Sequence, residues 1–481
     1  MTREIKQQPP LESRRKFIGQ MSAVTAAGLT AAGLAGNSLA TPLAAQQQQQ
    51  VGKPRPRVAA IFTVLRFRSH AYNILENFLG PYYFRGKLVD PGVDVVSFYA
   101  DQFPDDDMAR EVSQRFGIPL CKSIDEALTL GGKELAVDAV LSIGEHGDYP
   151  YNDRGQQLYP RKEFFDQSVA VMKRSGRFVP FFNDKHLSYR WDWARQMYDT
   201  ARKHGFPLMA GSSVPLAQRL PMFELPPHAD IEEAVSIHGG GLESYDFHGL
   251  EVLESIVESR RGGESGISSI ELLTGERFTA AMKSGRWSTE LVEAAMQAEH
   301  NMSVERQAHP KVGVFAPKAA KGTDAAQKDT RPARPNGPHA IVLNYSDGLK
   351  ATVLKVGSDS NRWNFACRLK GESKPRATAY FNSPWGNRGL FKALSHAIQH
   401  LFITGTEPYP AERTLLTTGA VEAVMQSYEQ GGQTIDTPHL KFAWQPVNWA
   451  AQRENGATWR MITAETPQPT SFAPRSFEEL K

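Results

Sequence analysis

The segment Gly144-Glu145-His146-Gly147-Asp148-Tyr149-Pro150 packs two carboxylates, an imidazole and a phenol into seven residues, more polar side chain than a turn needs. It follows an apolar run of strand length, Val137 to Ile143, and so falls at a sheet edge, where open α/β folds gather their ligands. Imidazole and carboxylate together suit a divalent metal, and His186, His238 and His248 would extend the set. The same groups equally serve a sugar contact or satisfy turn backbone. No close HxH or HxxxE spacing commits the chain to a metal, so none is assigned. His146 and Asp148 are read as substrate contacts, and the loop Tyr151 to Arg161, rich in Tyr, Asn, Asp and Gln, as a surface loop beside them. Its amides, with Trp191 and Trp193, would suit a carbohydrate, whose C–H face stacks on rings while its hydroxyls need polar partners. Those tryptophans open a helix, where core packing is the commoner use.

The elements that must position these residues follow from periodicity. Val58 to Phe62 reads as a strand and His70 to Leu79 as a helix, then Val93 to Tyr99 as a strand and Asp105 to Phe116 as a helix with an acidic first turn. Val137 to Ile143, Phe178 to Phe182 and Pro207 to Ala210 read as further strands, separated by helices at Lys162 to Ser175 and Trp191 to His204. Strands alternating with helices of 10 to 15 residues predict a Rossmann-like, doubly wound parallel sheet over 57–214. Beyond Val214 the pattern changes. Strands are expected at Ala234–Ile237, Ser269–Leu273, Ala340–Tyr345, Thr352–Lys355, Trp363–Leu369 and Ala377–Phe381, with helices at Gly249–Arg261, Thr289–Asn301, Leu390–Ile403 and Ala411–Glu429. This predicts a second α+β domain over 215–445, built on a largely antiparallel open sheet. Ala316 to Pro338, rich in Ala, Lys, Pro and Gly, is expected to be a loop within it, and 446–481 a C-terminal tail.

Ser13-Arg14-Arg15-Lys16-Phe17-Ile18-Gly19, followed by the charge-free run Gln20 to Ala40, looks like a twin-arginine export signal, with Ser38-Leu39-Ala40 as a cleavage site. A polar tether, 41–56, follows it. Removing residues 1–40 takes away five basic and two acidic residues, so the formal charge of +3 falls to zero with 50 of each sign left. No basic stripe and no second apolar span remain, which argues against nucleic acid or a membrane surface as partner after cleavage. Cys121 and Cys367 lack CxxC spacing, so no thiolate metal site or disulfide framework is indicated, and one long-range disulfide is the most they could form.

Several motifs then occur in a telling order. Phe116-Gly117-Ile118-Pro119, Ser123-Ile124-Asp125-Glu126-Ala127-Leu128 and Val137-Asp138-Ala139-Val140 come first, followed by Asn183-Asp184-Lys185-His186 and by Gly239-Gly240-Gly241 running to His248 and Glu251. Pro410-Ala411-Glu412-Arg413 closes the series. From about Arg57 to Leu440 the chain resembles the glucose-fructose oxidoreductase / inositol dehydrogenase (Gfo/Idh/MocA) family, which pairs a Rossmann domain with an α/β domain whose open sheet faces the substrate. The resemblance implies NAD or NADP and a sugar or polyol substrate, and export of an already folded chain implies that the nucleotide is tightly held. It places Lys185 at the family's Glu-Lys-Pro lysine and His248 at its acid/base histidine, with Glu251 replacing the acid three residues on and Ser244 the acid four residues before. Glu243 and Asp246 flank the histidine as substrate-contacting carboxylates.

The departure is at the phosphate loop. A dinucleotide fingerprint needs glycines after the first strand, and here stands Thr63-Val64-Leu65-Arg66-Phe67-Arg68-Ser69-His70, with none. Either Arg66 and Arg68 grip the phosphates by charge, or the dinucleotide has been lost and the fold kept. Asp101, after the second strand, has the position to accept a ribose hydroxyl, and Glu145 and Asp184 complete the expected cofactor set. The leading expectation is an exported sugar or polyol oxidoreductase with tightly held NAD(P), assembled as a homo-oligomer through its open sheet. The alternatives are a non-redox carbohydrate enzyme of the same fold (an NAD-assisted glycosidase or a metal-assisted lyase or epimerase) and a catalytically silent periplasmic carbohydrate-binding protein.

Overall fold

A computed structural model describes residues 54–226, 228–308, 337–463 and 465–472. The export segment, the tether up to residue 53 and the loop 316–336 lie outside the described residues. Chain order runs β1 (Arg57–Phe62), α1 (His70–Leu75), β2 (Tyr82–Phe84), β3 (Lys87–Val89), β4 (Asp94–Ala100), α2 (Ala109–Phe116), β5 (Leu120–Cys121), α3 (Ile124–Thr129), β6 (Ala139–Ile143), α4 (Arg161–Arg174), β7 (Phe181–Asp184), α5 (Trp191–His204) and β8 (Leu208–Gly211). Six of these strands form one parallel sheet in the order β5-β4-β1-β6-β7-β8. Its strands are buried on both faces, as the near-continuous apolar runs VAAIF and AVLSI require. The order turns back between β1 and β6, so the carboxyl ends of these two strands open the crevice in which such sheets hold their ligands.

The chain continues through β9 (Gln218–Leu220), β10 (Ile231–His238), α6 (Ser244–Val257), β11 (Ile267–Thr274), α7 (Gly275–Lys283), α8 (Thr289–Ala308), β12 (His339–Tyr345), β13 (Lys350–Lys355), β14 (Trp363–Leu369), β15 (Arg376–Phe381), α9 (Arg388–Thr404), α10 (Ala411–Glu429) and β16 (Ile435–Asp436). Eight strands make a second sheet, β16-β11-β12-β13-β10-β14-β15-β9, antiparallel except for the pair β10–β13. Helices α6 and α10 pack on one face, where Leu250, Leu253, Val421 and Val424 meet Ile270, Leu343 and Phe365. The other face is covered as well, because Trp287, Leu291 and Ala295 pack on Val235, Ile237, Leu354 and Ala366. The sheet that the sequence leaves open is therefore open at its edges and not over its outer face.

One further departure concerns the end of the chain. Phe391, Leu394, Ile398, Leu401 and Phe402 of α9, with Trp449 and Phe472, pack into the first sheet's core against Phe62, Tyr72, Leu75 and Phe98. Trp191 packs beside Phe442 and His439, and Trp193 lies under the Arg190 guanidinium. Cys121 and Cys367 are free thiols, so the long-range disulfide is not formed. No helix among the described residues is long and apolar enough to cross a membrane.

Candidate functional site

Four left-handed, non-glycine residues converge on the carboxyl edge of the parallel sheet: Arg68 after β1, His146 after β6, Lys185 after β7, and Glu243 at the N-cap of α6. A positive φ costs an L-residue about 1–3 kcal/mol, and such strain persists where the surroundings over-determine it. Here they do. Lys185 Nζ donates to Glu145 Oε1 at 2.8 Å, and Arg161 donates to the other oxygen of the same carboxylate. All three side chains are buried, Arg161 at 1% exposure. Burial pushes the Glu145 carboxyl upward, but Lys185 and Arg161 outweigh it and hold it well below the ordinary range. Thr63 Oγ1 donates to the Glu145 carbonyl at 2.6 Å and fixes the start of the 144–150 loop against β1.

Around this ion pair stand four histidines. His70 Nδ1 lies 2.6 Å from Asp184 Oδ2, and its ring meets His146 edge-on with centroids 5.0 Å apart. Burial, reinforced by His70, lowers His146 to about 3. His186 is pushed down by burial and by Arg161, and its Nε2 lies 3.7 Å from Glu243. His248, on α6, bonds Ser212 Oγ through Nδ1 at 2.6 Å and crosses Trp363 edge-on, with Tyr245 stacked on the same indole. Burial, Lys185 and His70 all depress its basicity, which favours the uncharged imidazole. The structure thus brings Lys185, His248, Glu145, His146 and Asp184 into one electrostatic neighbourhood.

Other expected residues take different places. Glu251 does not touch His248. Its carboxylate accepts from Thr417 and Thr414 and from the Ser212 amide, so it reaches the histidine only through Ser212. Gly211 permits this, because a Cβ there would lie 2.9 Å from Glu251 Oε2 and 2.8 Å from Thr414 Oγ1. Asp246 is corrected as a substrate contact: it is fully buried, accepts from His238 Nε2 at 2.9 Å and His339 Nε2 at 2.8 Å, and caps α6 through the Glu243 amide. His238, Asp246 and His339 are also the one metal-compatible group among the described residues. The Gly240 amide donates to His238 Nδ1, which puts the proton on Nε2 and makes the group a hydrogen-bonded brace for α6. Glu243 serves chiefly as the cap of that helix. Asp148 is exposed, and its backbone is bound by Gln102.

The residues after β1 do not fit a dinucleotide's pyrophosphate. Thr63, Val64 and Leu65 are wholly buried. The Leu65 amide donates to Asp107 Oδ2 at 2.9 Å, the Arg66 amide to Ser69 Oγ, and the Tyr72 amide to the same hydroxyl. Asp107 is a carboxylate of the chain itself, standing on amides that a phosphate would need. Arg68, expected to bind phosphate, is corrected too: its guanidinium holds the Trp385 carbonyl and Asn387 Oδ1. Arg66 is partly exposed, and its amide, not its guanidinium, makes the bond described. Asp101 accepts from Tyr99 and Tyr149 hydroxyls at the end of β4. Sequence reasoning passed over His70, Arg161, Ser212 and Asp107 as site residues.

No family model and no curated protein matches the chain. Solved structures similar to it include apo scyllo-inositol dehydrogenase from Lactobacillus casei (TM-score 0.46, 8% identity, covering 79% of this chain and 98% of that one). GenD2 from gentamicin A biosynthesis, in complex with NAD, gives 0.47 at 11% identity over 79% and 96%. A myo-inositol dehydrogenase from Corynebacterium glutamicum gives 0.44 at 12% over 80% and 99%. The strand orders, a doubly wound parallel sheet followed by a mixed sheet whose first helix brings His248 to the parallel sheet's carboxyl edge, decide the fold. The architecture is a Rossmann-like doubly wound parallel sheet followed by an α+β domain on a mixed sheet.

Proposed function

We propose that this chain is a carbohydrate-directed enzyme that moves a proton at a hydroxyl-bearing carbon of a sugar, without net oxidation. Lys185 and His248 address one substrate oxygen from the two halves of the fold. The observation that carries this reading is the strained, ion-paired Lys185 beside a neutral His248, at the edge where four left-handed residues meet. An ammonium and an imidazole on one oxygen lower the barrier to removing an adjacent proton. The test incubates the full chain in D2O with aldoses, ketoses and polyols and follows carbon-bound protons by NMR. Exchange or epimerisation that disappears in Lys185→Ala and His248→Ala supports the reading; a chain that binds sugars with no exchange is a binding protein.

A second reading, oxidation by tightly held NAD(P), is favoured by Asp101 at the end of β4 and by the partly exposed Arg66. It requires the nucleotide to be held away from the amides that Asp107 and Ser69 occupy. We also propose export of the folded chain by the twin-arginine machinery, on the Ser13–Gly19 motif. Replacing Arg14 and Arg15 with Lys should retain the protein in the cytoplasm. A homo-oligomer is proposed through the exposed backs of α7 and α8, since these helices cover the outer sheet face; light scattering of the mature chain tests it.

A further inference from the structure

We infer that the proton-abstracting base of this site is His70, set by Asp184, and that Ser212 holds His248 in the opposite tautomer, as a hydrogen-bond donor. The inference rests on the proton-transfer reading above, adds a residue to it, and reverses the role that the family resemblance gives His248.

The assignment comes from counting donors and acceptors. A carboxylate only accepts, so the 2.6 Å contact between Asp184 Oδ2 and His70 Nδ1 places a proton on Nδ1, and in the uncharged form of the ring the lone pair sits at Nε2. Ser212 Oγ already accepts the Val214 amide at 3.0 Å, and Nδ1 of His248, at 2.6 Å, is the acceptor in reach of its hydroxyl proton. The hydroxyl keeps a second lone pair, but no other acceptor for its proton occurs among the described hydrogen bonds; with Ser212 as donor, Nδ1 of His248 carries the lone pair and Nε2 the proton. Ser212 is itself fixed, its amide on Glu251 and its chain leaving β8 through Gly211. Two histidines of opposite polarity thus stand in one electrostatic neighbourhood with Lys185. His70 lies at the start of α1, packed on Phe391 and His146 and still partly exposed.

The step closes without an oxidant when the substrate is an α-hydroxy carbonyl sugar. Nε2 of His70 takes the proton from the carbon beside the carbonyl, the C–H pair becomes the new C=C bond, and the carbonyl π pair moves to oxygen. There the Lys185 ammonium and the His248 Nε2–H meet the developing charge. Return of a proton from His70 to the same face, after the ring has traded it with solvent, gives exchange, and delivery by a water molecule to the other face gives an epimer.

The experiment labels the full chain with [15N]histidine and reads each ring's tautomer from long-range 1H–15N correlations at neutral pH. His70→Gln and His248→Gln identify the two signals, with His70→Asn and His248→Asn as second variants should either fail to fold. The expected result is a lone pair on Nε2 of His70 and on Nδ1 of His248, with Ser212→Ala moving only the His248 pattern and Asp184→Asn only that of His70. In the D2O assay with an α-hydroxy ketone, His70→Gln should slow exchange by about 10²–10⁴-fold. The same tautomer at both rings would overturn the inference even in an active protein. Opposite tautomers with exchange undiminished in His70→Gln would overturn His70 as base while leaving the proton-transfer reading intact, and no exchange in the wild type would overturn both.

Discussion

Replacing Glu145 with Gln should cost far more than replacing its partner Lys185 with Met, and the size of the difference follows from burial. Glu145, Arg161 and Lys185 are 7%, 1% and 5% exposed. Removing the single anion leaves two buried cations facing each other, and breaking a buried pair from one side costs about 3–5 kcal/mol. Lys185→Met leaves the Glu145–Arg161 pair in place, and its cost should stay near 1 kcal/mol or below, because an apolar chain of similar volume replaces the ammonium. The roughly 430-residue unit from Lys53 to Lys481 unfolds with an entropy of about 0.9 kcal/mol/K at ~2.1 cal/mol/K per residue, so 4 kcal/mol corresponds to a melting point lower by about 4 °C. Urea midpoints of wild type, Glu145→Gln and Lys185→Met at pH 7 give the comparison directly. The pH dependence has a definite sign. The Glu145 carboxyl is held below its ordinary range, so its stabilisation is fully present above the unfolded value near 4.3 and is lost as pH falls through the folded value. The gap between wild type and Glu145→Gln should therefore persist at pH 5 and close in strong acid. A Glu145→Gln protein within 1 kcal/mol of wild type, or a Lys185→Met protein equally damaged, would refute the reasoning.

Protein purified from an exporting host should release no stoichiometric NAD(H) or NADP(H) on denaturation, and millimolar NAD+ should leave its melting point unchanged, whereas a site with a 10 μM Kd would add about 2.7 kcal/mol. Glu254 is pushed well above the usual carboxylate range by burial and by Glu264, with Tyr345 donating to it. The stability it contributes is present below its unfolded value and is lost as pH rises, so Glu254→Gln should match wild type near pH 5 and exceed it at pH 8 in denaturant midpoint. Gly240→Ala places a Cβ 1.9 Å from the Tyr245 ring, which must leave its stack on Trp363. Loss of about 1–3 kcal/mol and of near-ultraviolet dichroism is expected, and an unchanged spectrum would contradict it.

The parallel sheet was legible because its strands are continuous apolar runs and its helices carry clear boundaries; Trp191–His204 is found where the pattern places it. Helix α1 stops at Leu75, four residues short of the expected end, where Glu76 turns to pair with Arg388. Helix α7 went unread although Phe278 and Ala281 pack on the outer sheet face, because it is short and none of its residues is fully buried. In the site, Lys185 and His248 were visible only through motif order. Arg161 was assigned to a surface loop, although it opens α4 and is 1% exposed, because local composition does not reveal that Glu145 waits beneath it. Glu251 and Asp246 were misplaced for a related reason. Acids near a histidine in sequence can lie on the buried side of a helix, where threonines and other histidines satisfy them.

Packing α9, Trp449 and Phe472 into the core begun by β1 ties the two ends of the chain's folded part together. A ribosome delivers that core's first residues long before its last, so the amino-terminal sheet spends most of synthesis with an apolar flank exposed. Such a chain cannot mature domain by domain. Its completion waits for contacts more than 300 residues apart, for example Lys392 with Asn77 and Arg388 with Glu76, which slows collapse and gives chaperones a long window to engage. A truncation that spares His70, Lys185 and His248 but ends before α9 would leave an insoluble fragment, and the last fifth of the chain thereby acts as the checkpoint for the first.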